Sequence, residues 1–330
     1  MTDHRLRKLL GATALALLLA GCGSGSSTME DTAATESTTT TVSTSTSTVS
    51  GDCEQASHFL DVSDQDNYID WNGDGLTNSE YYGKDLTPSV SVTCSDTQVT
   101  VTGNGLINFD FEGLGPGLVM APEAYDLNVS FPRYPEKAAS PTELPTLGII
   151  AVTVSGIQIF GPNEAAMDGL ADPYKHGILE YCGGHVMQYH LHVRPFCYFG
   201  YTTMGGASSL LPEGQPGVVI GYALDGFPIL APWECDDAEC TSVHEVKNSY
   251  VYTGTGDYAN ENAWEVNVYQ EGAGDLDRCN GGYRPDGTYA YYATDQFPYY
   301  LGCYSGTPDL SANGSAGAGP GGNGPPPAAL

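Results

Sequence analysis

Positive charge is scarce in this chain. Its 330 residues carry 11 Lys and Arg against 40 Asp and Glu, a formal charge of −29. So few cations cannot form the basic stripe that phosphate backbones require, which argues against nucleic acid as a partner. The same deficit works against docking on anionic lipid headgroups. Charged residues are only 15% of the chain while Gly (42) and Pro (21) are frequent, a balance that disfavours a helical bundle or coiled coil.

Familiar catalytic signatures are missing too. There is no GxSxG elbow, no P-loop, no GxGxxG leading into a helix and no HExxH. Asp225, His190 and Ser208 supply the residue types of a hydrolytic triad, but nothing in their spacing marks them. Among many acids no carboxylate pair stands out for glycoside cleavage. Outside the first 22 residues, no window holds a 3.6-residue apolar period over roughly ten positions.

What is present reads as β structure. Val90–Cys94 and Val99–Thr102 alternate at period two around Ser95-Asp96-Thr97, which predicts a hairpin. Residues 147–160 form two strand-like stretches broken at Ser155-Gly156. Residues 217–222 and 227–230 flank the turn Asp225-Gly226, and Tyr289–Ala293 is a further strand. The expected fold is mostly β, a sandwich or barrel-like body with long loops.

The ends differ in composition from the middle. Arg5, Arg7 and Lys8 precede the apolar run Leu9–Ala20, too short for a permanent span, so residues 1–21 read as an export signal. Leu19-Ala20-Gly21-Cys22 resembles the lipobox of bacterial lipoproteins, which implies lipidation, palmitate included, at Cys22. Membrane attachment through that lipid is then expected, at the outer membrane or cell surface, since Gly23 is not the Asp of inner-membrane retention. Residues 22–51 are Ser/Thr-rich and read as a tether, and 311–330 as a disordered Gly/Pro-rich tail. Between them lie an amino-terminal β segment, 52–146, and a second domain, 147–310.

Of nine cysteines, Cys22 is assigned to lipid. The others are Cys53, Cys94, Cys182, Cys197, Cys235, Cys240, Cys279 and Cys303, an even set that reads as disulfides in an exported chain. Sequence proximity favours Cys235–Cys240 and Cys279–Cys303. Cys53–Cys94 would staple the amino-terminal segment, leaving Cys182–Cys197. Thiolate metal ligation is disfavoured because no CxxC pair exists.

Asp70-Trp-Asn72-Gly-Asp74-Gly75-Leu76-Thr77-Asn78-Ser79-Glu80-Tyr81 has the oxygen spacing of a calcium loop. Its expected ligands are Asp70, Asn72, Asp74, the Leu76 carbonyl, Asn78 and Glu80. It resembles the DxDGDGLTxxE repeats and dockerin-type loops of exported bacterial proteins. Tyr81 stands where the bidentate acid belongs, and Glu80 falls one position early.

His176, His185, His190 and His192 crowd a short stretch. On a strand, His190-Leu-His192 aims both imidazoles to one face about 7 Å apart. Joined by His185 they suit copper, zinc or iron, with copper or zinc the expected ion; the plainer alternative is imidazoles hydrogen-bonded inside a polar core. Tyrosine is dense, 22 in all, with Tyr289, Tyr291, Tyr292, Tyr299, Tyr300 and Tyr304 near the end. Core packing is the default for them, and a ligand platform the sharper alternative.

From about Gly148 to Gly306 the chain resembles the YHYH-domain family. The residues that carry this are Gly156-Ile-Gln-Ile-Phe-Gly-Pro162, Gly184-His185, Tyr189-His190-Leu191-His192 and Gly221-Tyr-Ala-Leu-Asp225-Gly-Phe-Pro-Ile229. Leu276-Asp-Arg-Cys279-Asn-Gly281, Asp286-Gly-Thr-Tyr289-Ala-Tyr291-Tyr292-Ala-Thr294, Phe297-Pro-Tyr299 and Gly302-Cys303-Tyr304 complete it. Leu191 replaces the motif's second Tyr, and Ala290 and Tyr292 stand where a second histidine pair could lie, so any site should rest on His185, His190 and His192. The resemblance implies an extracytoplasmic domain. The first expectation is a lipid-anchored protein that binds a transition metal. Two alternatives stand beside it: a calcium-stabilised adhesion module whose tyrosine-rich surface engages glycan or protein, and a metal-assisted oxidase or hydrolase.

Overall fold

Alternation of small polar and branched apolar residues builds the first sheet. β1 (Val90–Cys94), β2 (Gln98–Gly103) and β3 (Leu127–Pro132) are consecutively antiparallel. Val92 faces Val101, and Val101 faces Val129, in register. Because side chains alternate across a strand, Val90, Val92, Val99, Val101, Val129 and Phe131 all turn to one buried face. The structure, a computed structural model, describes residues 53–111, 121–165, 169–199 and 211–314. The expected signal, Cys22, the tether up to residue 51 and Ser208 lie outside the described residues.

The second sheet is assembled from eight short strands. They are β4 (Ile149–Thr153), β5 (Gln158–Phe160), β6 (Gly184–His185), β7 (His190–Leu191), β8 (Val219–Ala223), β9 (Pro228–Leu230) and, beyond two small ribbons, β14 (Gly281–Tyr283) and β15 (Tyr289–Tyr292). The ribbons pair β10 (Trp233–Cys235) with β11 (Val243–Glu245) and β12 (Tyr250–Tyr252) with β13 (Asn267–Tyr269). The spatial order is β14-β15-β9-β8-β4-β5-β7-β6, with parallel pairing only at β15–β9 and β5–β7. The expected hairpin at 90–102 forms, and the strands expected within 147–160 and 217–230 pair as hairpins too. Among the described residues the sheets stay open and no barrel closes.

Among the described residues helix is confined to single turns, as the missing 3.6-residue period requires. α1 (Asn78–Tyr82) is capped by Thr77 and Glu80, α2 (Pro173–His176) by Asp172 and α3 (Ala263–Val266) by Asn262. One apolar cluster runs from Cys53 to Ala312, through both segments that the sequence divides at 146–147. Four disulfides join Cys53–Cys94, Cys182–Cys197, Cys235–Cys240 and Cys279–Cys303: the two pairs that sequence proximity favours, the staple of the amino-terminal segment, and the pair that remains.

One expectation needs correction. The tail does not begin at 311, because Ser311–Gly314 forms a 3-10 turn and Ala312 is buried. Asn313 accepts from the Ile149 N–H at 2.8 Å and donates to its carbonyl at 2.9 Å, doing for that position what a neighbouring strand would do. The terminal tyrosines take the core packing that is their default and not the alternative of a ligand platform. Tyr289, Tyr291, Tyr292, Tyr299, Tyr300 and Tyr304 are buried, their hydroxyls held by Ser305, Asp225, Glu234, Asp172, the Val193 carbonyl and the Ile150 carbonyl respectively. A buried phenol needs a partner for its O–H, and each of these has one.

Candidate metal centre

The β6–β7 hairpin sets His185 directly opposite His190. Opposed residues point the same way, and His192, two positions beyond His190, returns to that face. Gly184 makes the hairpin fit: a Cβ there would sit 2.4 Å from the Tyr189 ring and 2.5 Å from the His190 carbonyl. Leu191, between the two histidines, points the other way into the core. That alternation explains how a leucine can occupy the position without disturbing either imidazole.

The three rings converge through Nε2. His185 Nε2 lies 3.1 Å from His190 Nε2 and 3.2 Å from His192 Nε2. With metal–nitrogen bonds of about 2.0–2.1 Å, two nitrogens on a tetrahedral ion sit about 3.3–3.4 Å apart, and on an octahedral ion about 2.9 Å. The observed separations fall between those limits. Among the described residues this trio is the group of metal-ligating side chains whose donor atoms all lie within 4.8 Å of one another.

The other ring nitrogens decide which tautomer is present. His192 Nδ1–H donates to the Gly161 carbonyl at 2.6 Å, and His190 Nδ1–H to the Gln188 carbonyl at 3.2 Å. A neutral imidazole that donates from Nδ1 presents a lone pair at Nε2. Parallel pairing of β5 with β7 supplies the first of these carbonyls, since it carries Gly161 alongside His192. It also lays Phe160 on the His190 ring, with centroids 4.0 Å apart.

The sequence does not mark the fourth group. Glu164, one of 40 acids, follows the Gly161 turn and places Oε1 3.1 Å from His185 Nε2 and 3.4 Å from His192 Nε2. That oxygen is buried without a well-aligned hydrogen-bond donor. Its sole signal in the chain is its place just past the Gly156–Pro162 motif, which could be read only once β5 was known to lie beside β7.

Electrostatics keep the lone pairs available. Burial, reinforced by His185, holds the His192 imidazole down at about 4. Burial and the two neighbouring rings hold His190 well below its usual value. Burial pushes Glu164 upward, but the His185 contact and the three imidazoles outweigh it and hold the carboxyl at about 2. Near neutral pH the cluster therefore offers imidazole lone pairs and a carboxylate around one point. At most one Nε2–H of His185 could bridge three such acceptors, so a shared cation fits the donor set better than hydrogen bonds do.

The other expected sites are arranged differently. Asp70 accepts the backbone N–H groups of Gly73, Asp74 and Gly75, and Asn72 and Asp74 cap neighbouring N–H groups. Those three side chains stay together in one exposed loop. Asn78 does not join them: it is buried, donating to the Phe109 carbonyl and accepting from the Phe111 N–H. Glu80 closes the capping box with Thr77. The Phe109–Phe111 segment thus engages the Asn78 side chain and the helix cap engages Glu80, apart from the three side chains of the loop. His176 ends α2, outside the cluster, and Asp225 is committed to Tyr291 and the Gly306 N–H.

A family model described as YHYH protein matches residues 128–306. The chain belongs to the YHYH family. The YHYH match opens inside β3, ahead of Gly148 where the sequence motifs begin, and it contains all four residues of the cluster. No curated protein and no solved structure matches the chain. Among the described residues, no helix of this YHYH protein is long and apolar enough to cross a membrane.

Proposed function

We propose that this YHYH protein binds one divalent transition metal, zinc or copper, through Nε2 of His185, His190 and His192, with Glu164 supplying the negative charge. The observation that carries the reading is the convergence of three Nε2 atoms whose rings are locked, in two cases, by Nδ1–H bonds to backbone carbonyls. That is the outer arrangement which orients imidazoles toward an ion. Bound metal at this position ties β6, β7 and the Glu164 turn together. The reading is one of binding rather than catalysis. Its location follows from the sequence: residues 1–21 direct export, and Cys22 carries lipid that anchors the protein in the cell envelope.

Elemental analysis of the purified chain tests the site. The expected result is one zinc or copper per chain, lost when His190 and His192 are both changed to Ala while the melting transition persists. Metal content unchanged in that double variant refutes the assignment. Turnover of an oxidisable or hydrolysable probe that disappears with the metal would move the reading to the enzyme class.

A further inference from the structure

A second feature shares no residue with the histidine cluster. A cleft of about 240 Å³ is lined by Tyr250, Tyr252, Tyr258 and Phe297 together with the acidic residues Asp172 and Glu261. That is below the several hundred Å³ of pockets that enclose drug-sized ligands, so the occupant is a compact group.

The rings meet at angles instead of forming one flat shelf. Tyr252 and Tyr258 have centroids 5.3 Å apart, tilted by 41°, and Tyr250 meets Phe297 at 5.4 Å and 70°. A sugar ring stacks on a single open aromatic face. Rings inclined to one another instead surround a rounded group, and their negative faces favour a cation.

The polar groups add the same sign. The Tyr252 hydroxyl donates to Glu261, which also accepts from the Thr255 N–H and hydroxyl. A phenol that gives its hydrogen to a carboxylate has a more electron-rich ring. Asp172 accepts from the Tyr299 hydroxyl at 2.6 Å and from the N–H groups of Tyr174 and Lys175 at 3.0 Å each. Both carboxylates are thus fixed in place, within a chain whose charge of −29 draws cations toward its surface.

We propose that this cleft binds a small organic cation of the quaternary ammonium class, with the tyrosines and Phe297 as its cage and Asp172 and Glu261 as its counter-charge. Lys175 also lines the cleft and, among the described residues that line it, is the one opposing charge, its ammonium 5.5 Å from the centroid of the Tyr174 ring. Its position gives the test a sign.

Choline is titrated into the full chain and followed by calorimetry, beside its neutral isostere with carbon in place of the quaternary nitrogen. Saturable binding of choline alone is expected. Removing one wall of the cage in Tyr258→Ala weakens it by about fivefold to thirtyfold. Lys175→Met, a change on an exposed side chain that leaves the fold intact, tightens it. Equal binding of the isostere, weaker choline binding in Lys175→Met, or glucose binding where choline does not would each overturn the proposal. Metal content does not enter these readouts, so the result is independent of the histidine site.

Discussion

A carboxyl buried at position 180 must stay protonated to be tolerated. Glu180 is buried, its Oε2 has no hydrogen-bond donor, and desolvation pushes it up to about 9 despite the Tyr189 phenol beside it. The folded state therefore holds a proton that the unfolded chain releases near pH 4.5. Stability from this group is complete below that pH and is lost as pH rises toward about 9. Glu180→Gln keeps the size and removes the titration. The variant should match the parent near pH 4 and exceed it progressively up to pH 9, with a limiting slope of about 1.4 kcal/mol per pH unit. Parallel melting curves at every pH would show that Glu180 is solvated after all. Asp110, held up at about 6 mainly by burial, contributes with the same sign over a lower window.

At the scale of elements, the hairpin that carries the histidines is strained at its turn. Val186 adopts φ 59°, the left-handed region, which a β-branched side chain resists. The residue is 44% exposed, so it contributes little packing in return. Its role is geometric: it reverses the chain so that His185 faces His190. Val186→Asn, which tolerates that conformation, should raise stability by roughly 1 kcal/mol and leave the metal stoichiometry unchanged. Urea unfolding with and without added metal checks both halves. A destabilised variant would mean the turn owes its shape to the valine.

For the whole molecule, the Cys182–Cys197 disulfide encloses the histidine hairpin, with a separation of 15 residues. Closing a loop of that length removes unfolded-state entropy equivalent to about 3 kcal/mol in the chain-entropy account. The paired change Cys182→Ala and Cys197→Ala should therefore lower both the melting temperature and the retention of metal against a chelator. Cys235→Ala with Cys240→Ala, in the β10–β11 ribbon, should leave metal retention alone. Equal metal loss in both variants would show that the ligands depend on overall stability and not on their own staple.

The strand hairpins, the Cys235–Cys240 pair and the shared face of His190 and His192 could be read in the chain because each depends on contacts between near neighbours. Alternation at period two fixes which side a residue takes whatever the strand later packs against. The contacts of Asn78 and Glu80 were not legible for the complementary reason, since the spacing of oxygens does not say which of them a helix cap and the buried Phe109–Phe111 segment will engage. Glu164 beside the imidazoles, the Gly161 carbonyl on His192 and Asn313 on Ile149 are joined across 21 to 164 positions of sequence. Only the order and direction of strands bring such groups together, and local pattern carries no information about that order.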